Sequence, residues 1–232
     1  MTACLAPVFG SPATPTPFCW HLGSRGWQNS PVTHGVIVAL SVLGVVGQVL
    51  IVGLAVAGVC ALAGLRGPLA AVRSSVFGYE LWLAFVVAAI ATGGSLFFSQ
   101  IAGFVPCELC WFQRICMYPL SIILLLAAVF DDYRIARYLL PLPIIGAGVS
   151  IYHLMVENGV VKQAQACLAS APGGCATKWI DKFGYMTIPT LALTAFLLLL
   201  ALLLFAVFEP ADESAGELRH RLQGGSTLRA GA

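Results

Sequence analysis

Five long apolar runs leave this chain few ways to fold in water. Val36 to Leu65, Leu81 to Val105 and Tyr185 to Phe208 contain no Asp, Glu, Lys or Arg. Trp111 to Phe130 contains one such residue, Arg114, and Tyr138 to Val156 contains none but carries His153. A membrane-spanning helix needs roughly 20 predominantly apolar residues, and each run is close to that length or longer. Charged residues make up 9% of the 232-residue chain, against about 25% in an ordinary soluble domain. The composition therefore excludes a soluble globular enzyme and predicts an all-α integral membrane protein. With a net charge of +2 and no basic patch, it gives no footing for a nucleic-acid partner.

The chain divides by composition. Residues 1–35 form an expected extracytoplasmic tail, extended around the proline-rich stretch 11–17. They lack the basic start of a secretory signal, and the apolar run that follows is too long for one. An N-terminal transmembrane helix is expected over 36–65, a four-helix membrane domain over 79–208 and a disordered cytoplasmic tail over 209–232. Lys and Arg favour cytoplasmic loops. With the N-terminus outside, the inner segments hold seven of them and the outer segments four. Cysteine placement agrees. Cys4, Cys19, Cys107, Cys110, Cys167 and Cys175 all fall outside, where disulfides persist. The expected arrangement is a five-span protein of the cell membrane, N-terminus extracytoplasmic and C-terminus cytoplasmic. Gly53, Ala57 and Ala61 form a small-residue stripe, read as the packing face of the first span. Trp179 and Tyr185 suit the interfacial belt.

The chemistry concentrates at one membrane face. Cys107 and Cys110 are three residues apart and share a helix face if a helix begins near Pro106, since proline suits a first turn. Helix N-termini and nearby arginines lower a thiol's pKa, and Arg114 lies four residues beyond Cys110 on the same stripe. An arginine at the hydrocarbon edge is costly without a partner. It can stabilise a thiolate or an oxygen gaining negative charge, or simply reach the interface beside a stapled turn. Cys167 and Cys175 lie two spans later, in the outer loop 157–183, with Pro172-Gly173-Gly174 as a turn signal. Alone they read as a staple for that loop; opposite a Cys-x-x-Cys pair they read as a relay for thiol–disulfide exchange. Zinc is the other reading of four cysteines, but the spacing of the second pair does not suit a zinc knuckle, so no metal is assigned. His153 and Gln113 can be functional or hydrogen-bonded structural residues. Cys60 and Cys116 read as packed thiols.

The stretches 94–99 (GSLFFS), 106–120 (PCELCWFQRICMYPL), 144–147 (IIGA), 151–153 (IYH) and 188–193 (IPTLAL) resemble the DsbB disulfide-bond formation proteins. The likeness is greatest to the shorter BdbC-type members of Gram-positive bacteria. It covers about half of the chain. The resemblance implies a four-helix bundle holding a quinone (menaquinone or ubiquinone). It also implies a partner, a thioredoxin-like, DsbA-like thiol oxidase outside the membrane, whose electrons pass to the membrane quinone pool. Carried over by position, Cys167 is attacked by the partner's thiolate and Cys175 passes its bond to Cys107. Cys110 sits beside the quinone, and Arg114, Gln113 and His153 lie near its head group. A vitamin-K-epoxide-reductase-like enzyme is less well matched, because there the loop pair precedes the Cys-x-x-Cys. A non-enzymatic thiol metal-binding membrane protein is the remaining alternative. The chain departs from the family in residues 1–65, which have no counterpart; Cys4 and Cys19 can pair with each other, serve as exchange partners or be dispensable, and their role stays open.

Overall fold

The computed structural model describes residues 30–65, 67–170 and 173–207. The expected tails, with Cys4 and Cys19, lie outside them. Five helices are long and apolar enough to cross a membrane: Pro31–Leu62, Glu80–Ile101, Glu108–Val129, Tyr133–Glu157 and Ile188–Val207. The first is α1, starting five residues earlier than composition indicated. Pro31 stands in its first turn and the Ser30 hydroxyl accepts the Thr33 N–H at 3.1 Å, so a serine cap and a proline set the start. A short helix, α2 (Gly67–Val76), packs against α1; the sequence reading placed only a loop there.

The remaining spans close into a bundle. They comprise α3 (Glu80–Leu96), α4 (Glu108–Val129), α6 (Pro141–Glu157, entered through the single turn α5, Ala136–Leu139) and α8 (Ile188–Val207). α4 packs between α3 and α6, and α8 packs between α6 and α3, so the four form a ring. Leu81, Ala84 and Ala88 of α3, Leu120 and Leu124 of α4, and Phe196, Leu199 and Leu203 of α8 are fully buried at its centre. Outward residues such as Ile115, Ile122 and Ile144 are exposed, as expected of surfaces that meet lipid. With acyl chains outside as apolar as the core, helix association relies on close packing. Gly146 shows this: a Cβ there would run into the Phe196 ring.

α1 sits against the outside of this ring, on α8. Its buried positions are Thr33, Ser41, Gly44, Gly47 and Ala57. The expected stripe Gly53/Ala57/Ala61 holds in part: Ala57 is buried and Ala61 half-buried, but Gly53 is exposed and a Cβ there would meet nothing, while Gly44 and Gly47 make the close approach. A Cβ on Gly44 would lie 2.6 Å from Leu191, and one on Gly47 would lie 2.9 Å from Thr194. Gln48 anchors the contact, donating to Thr194 Oγ1 at 3.4 Å and accepting from the Tyr185 hydroxyl at 3.2 Å.

Candidate functional site: a dithiol between two chambers

The last turn of α3 widens into a π-helical turn, Phe97–Ile101, a distortion frequent at functional sites. Gly103, at φ 71°, then reverses the chain in a conformation that only glycine adopts readily. The segment that follows delivers Cys107 as the N-cap of α4, with extended backbone at φ −76° and ψ 172°. The helix thus begins one residue after Cys107, and Pro106 lies before the cap. Cys110 is in the first turn. The Cys107 and Cys110 sulfurs are 3.0 Å apart and unbonded.

The loop after α6 is more ordered than its composition indicates. Cys167 lies on a short helix, α7 (Gln165–Ser170), and Cys175 in a 3₁₀ turn, Gly174–Ala176, entered through Gly173 at φ 80°. The two are joined by a disulfide with Cα atoms 5.3 Å apart. Both are buried, at 2% and 1% exposure, and share an apolar cluster with Cys107, Leu109 and Val156. The four cysteines singled out from the sequence therefore meet at one end of the bundle.

His153, in the last turns of α6, stands between the two pairs. Its Nε2 lies 3.6 Å from Cys107 Sγ and 3.1 Å from the Cys175 carbonyl oxygen. A carbonyl can only accept, so Nε2 carries the hydrogen and the Cys107 sulfur faces a donor. The Cys110 thiol is a second and larger donor to that sulfur. Together these outweigh burial and hold the Cys107 thiol below its ordinary range. The neighbouring cleft is about 20 Å³ and is lined by Cys107, Cys110, His153, Glu157 and Thr187 among others. Glu157 accepts the Thr187 hydroxyl at 3.1 Å, and its other oxygen is buried without a partner among the described residues.

On the other side of Cys110 lies a different chamber. It is an apolar cavity of about 310 Å³ whose few polar atoms come from Ser95, Cys110, Gln113, Arg114, Tyr118 and Thr194. Such a volume is at the small end for a small-molecule site. Phe98, Phe104 and Trp179 stack along its wall, with centroids 5.8 and 5.2 Å apart. Arg114 is 9% exposed. Its Nε donates to Ser95 Oγ at 3.0 Å and its Nη2 to the Ser95 carbonyl at 3.1 Å, while its guanidinium lies 5.4 Å from the Trp111 ring centre. Gln113 donates to Ser150 Oγ at 3.0 Å.

Among the described residues no carboxylate pairs with Arg114, and Nη1 has no protein partner. A cation with spare donors on the wall of an apolar cavity, one turn from a thiol, is suited to a ring whose oxygens gain negative charge on reduction. The donor set therefore fits a quinone. Cys107, Cys110 and His153 also place two sulfurs and a nitrogen within 4.8 Å of one another, three of the four ligands a structural zinc takes.

The sequence expectations divide accordingly. Cys110, Arg114 and Gln113 line the large cavity; His153 does not, and faces the thiols instead. Sequence reasoning missed Ser95 and Ser150, the partners that aim Arg114 and Gln113. Ser95 lies within the quoted stretch 94–99, and Ser150 is three residues before His153 on the same helix face. Either signal was available.

A helical multi-pass membrane protein with two cysteine pairs at one end of a four-helix ring has the makings of a membrane thiol–disulfide oxidoreductase. Comparison with known families agrees. The family model described as "Disulfide bond formation protein DsbB" matches residues 79–206, and the chain belongs to that family. It is 46% identical over 130 residues to "Disulfide bond formation protein C" of Bacillus subtilis, covering 54% of this chain and 88% of the relative. It is 45% identical over 131 residues to a "Probable disulfide formation protein" of Deinococcus radiodurans, covering 53% and 86%. A "Probable disulfide formation protein C 1" of Bacillus anthracis is 46% identical over 120 residues, covering 51% and 85%. No solved structure matches the chain. The protein is thus a membrane protein of disulfide formation, and the family match leaves α1 outside.

Proposed function

We propose that this protein reoxidises an extracytoplasmic thioredoxin-like thiol oxidase, of the DsbA-like kind, and passes the electrons to a membrane quinone. The observation that carries the reading is the position of Cys110, which belongs to the thiol cleft and to the wall of the Arg114 cavity at once. The proposed orientation puts the Cys167–Cys175 face outside. It leaves the residues ahead of α1 as an outer tail, α1 (Pro31–Leu62) as the added span, the family domain at 79–208 and 209–232 as a cytoplasmic tail. The Lys and Arg distribution supports it.

The relay runs by thiolate attack. A partner thiolate attacks Cys167 and the Cys175 sulfur leaves as a thiolate. The partner's second thiol then attacks the mixed disulfide, leaving as an oxidised partner and returning Cys167 as a thiol. Cys175 attacks Cys107 in a Cys107–Cys110 disulfide, and Cys110 leaves as a thiolate. Cys167 displaces Cys107 from Cys175, closing the loop disulfide again. Two electrons then reside on the Cys107–Cys110 dithiol. His153 Nε2–H steadies the Cys107 thiolate and, through the Cys175 carbonyl, holds the 3₁₀ turn against it. This role replaces the expected contact of His153 with the quinone. Arg114 favours the Cys110 thiolate and offers its free donors to the cavity, with Gln113 beside it. A bound quinone, menaquinone or ubiquinone, supplies a two-electron, two-proton acceptor.

The test is anaerobic mixing of the purified full-length protein with a reduced thioredoxin-like partner. Stoichiometric formation of oxidised partner and quinol is expected; partner oxidation without quinol would refute the electron route. The Cys107–Cys110–His153 trio favours one other reading, a thiol-bound metal ion. Stoichiometric metal in the purified protein, lost together with thiol reactivity on chelation, would support that reading instead.

A further inference from the structure

α1 lies outside the family match, yet it lines the cavity. Leu43, Val46 and Leu50 are among its lining residues. They are also about half exposed, at 51%, 50% and 55%. Residues that both line a cavity and face outward stand at its mouth, and this spacing puts all three on one stripe of the helix. The neighbouring stripe, Gly44 and Gly47, presses the α1 backbone onto Leu191, Thr194 and Leu198 of α8. Leu40 reaches the other way: it is the side chain that a Cβ on Gly94 of α3 would meet, at 3.0 Å. α1 therefore bridges α8 and α3 on one side of the cavity. α3 and α4 supply Ser95, Cys110, Gln113 and Arg114, while α1 supplies only glycine and aliphatic surface.

We propose that α1 is a wall added to the family domain to complete the quinone site, and that its Leu43–Val46–Leu50 edge is the portal that sets how tightly the ring is held. The inference rests on the quinone reading above. The occupant follows from the opposing chemistry: a cation with free donors and a thiol at one part of the chamber, hydrocarbon at the mouth. An amphiphile with a polar redox ring and an apolar tail satisfies both, with its tail leaving past Leu43, Val46 and Leu50 into lipid. Glycines at 44 and 47 keep α1 close to α8, and Gln48, bonded to Thr194 and Tyr185, fixes its height along α8.

The test uses the full-length protein in lipid nanodiscs and reads binding rather than turnover. The probe is a naphthoquinone bearing one isoprenoid unit, and its affinity comes from the rise in thermal unfolding midpoint with probe concentration. Val46→Trp and Leu43→Trp place an indole in the portal. Overpacking there should weaken binding by about tenfold or more. Val52→Trp lies on the same helix at 62% exposure and away from the cavity, and should bind as the parent does. If either portal variant fails to fold, its alanine counterpart replaces it; losing wall contact should again weaken binding. Parent-like affinity in the portal variants, with affinity lost in Arg114→Met, overturns the role of α1 and leaves the quinone reading standing. Equal weakening in Val52→Trp also overturns it. No stabilisation of the parent protein by the probe overturns the proposal and the quinone reading together.

Discussion

On one side of the Cys107–Cys110 pair the neighbours are sulfur, an imidazole and a backbone carbonyl; on the other they are a guanidinium, an amide and hydrocarbon. The first side holds Cys107 3.6 Å from a histidine N–H that favours its thiolate. The second puts a buried arginine with unspent donors beside Cys110. The difference teaches how one short helical turn can serve two kinds of chemistry. A thiolate that must be attacked or displaced needs donors and other sulfurs within reach. A site where charge develops in a low-dielectric cavity needs a preorganised cation. Cys107, at the N-cap, belongs to the first setting alone, while Cys110, in the first turn, belongs to both.

The largest expected effects are on the thiol side. Cys167→Ser should abolish oxidation of the partner, because no attackable loop disulfide remains. Cys175→Ser should abolish it likewise, because Cys167 then shares no disulfide from which a partner thiolate could displace a sulfur. Normal turnover by Cys167→Ser would reduce the loop pair to a staple and dissolve the contrast.

Arg114→Met comes next. Losing about 2–4 kcal/mol of charge stabilisation slows a step by roughly 30- to 1000-fold. Steady-state kinetics with excess partner should show lower turnover and a raised quinone KM. Arg114→Lys should recover only part of the loss, since a point charge lacks the planar fork that bonds Ser95 twice. Full recovery with lysine would mean that charge alone matters.

A smaller effect is expected at His153. His153→Ala removes a donor to the Cys107 sulfur, so the Cys107 pKa rises and less thiolate is present at a given pH. Because Cys110 is the larger cause of the lowered pKa, the rise should go only part of the way back to the ordinary thiol range. Thiolate absorbance titrated against pH, with Cys107→Ser marking the contribution of Cys107, should move to higher pH. A curve that does not move would detach His153 from the thiol side. Smallest of all, Cys4→Ser with Cys19→Ser should keep most activity in the same steady-state assay; a loss comparable to that of Cys167→Ser would add Cys4 and Cys19 to the relay.

Hydropathy made the spans legible, because backbone polar groups in lipid allow little besides long helices. The Cys-x-x-Cys at a helix start was legible too, from Pro106 and the apolar run beyond it. What remained hidden depends on partners distant in the chain. Gly44, Gly47, Gly53 and Ala57 are all small residues on α1, and only the placement of the neighbouring helices decides that Gly53 alone of them is exposed. His153 is placed on a helix face by periodicity, but whether that face meets sulfur or cavity depends on how the loop carrying Cys175 folds back. The loop itself reads as polar and glycine-rich, which conceals α7 and the 3₁₀ turn that bury its disulfide. Ser95 and Ser150 are ordinary residues until Arg114 and Gln113 are seen bonded to them.

The account turns on the two settings being separable, and rapid mixing can measure that. In one experiment the protein, with its Cys107–Cys110 pair oxidised and its quinone removed, meets two equivalents of reduced partner, and oxidation of the second, which waits on Cys107 releasing the loop disulfide, is timed. In the other, protein with that pair reduced meets quinone, and quinol formation is timed. His153→Ala should slow the first more than the second, and Arg114→Met the second more than the first. If each variant slowed both half-reactions to the same extent, the Cys107–Cys110 pair would lie in a single undivided site, and the account would be wrong.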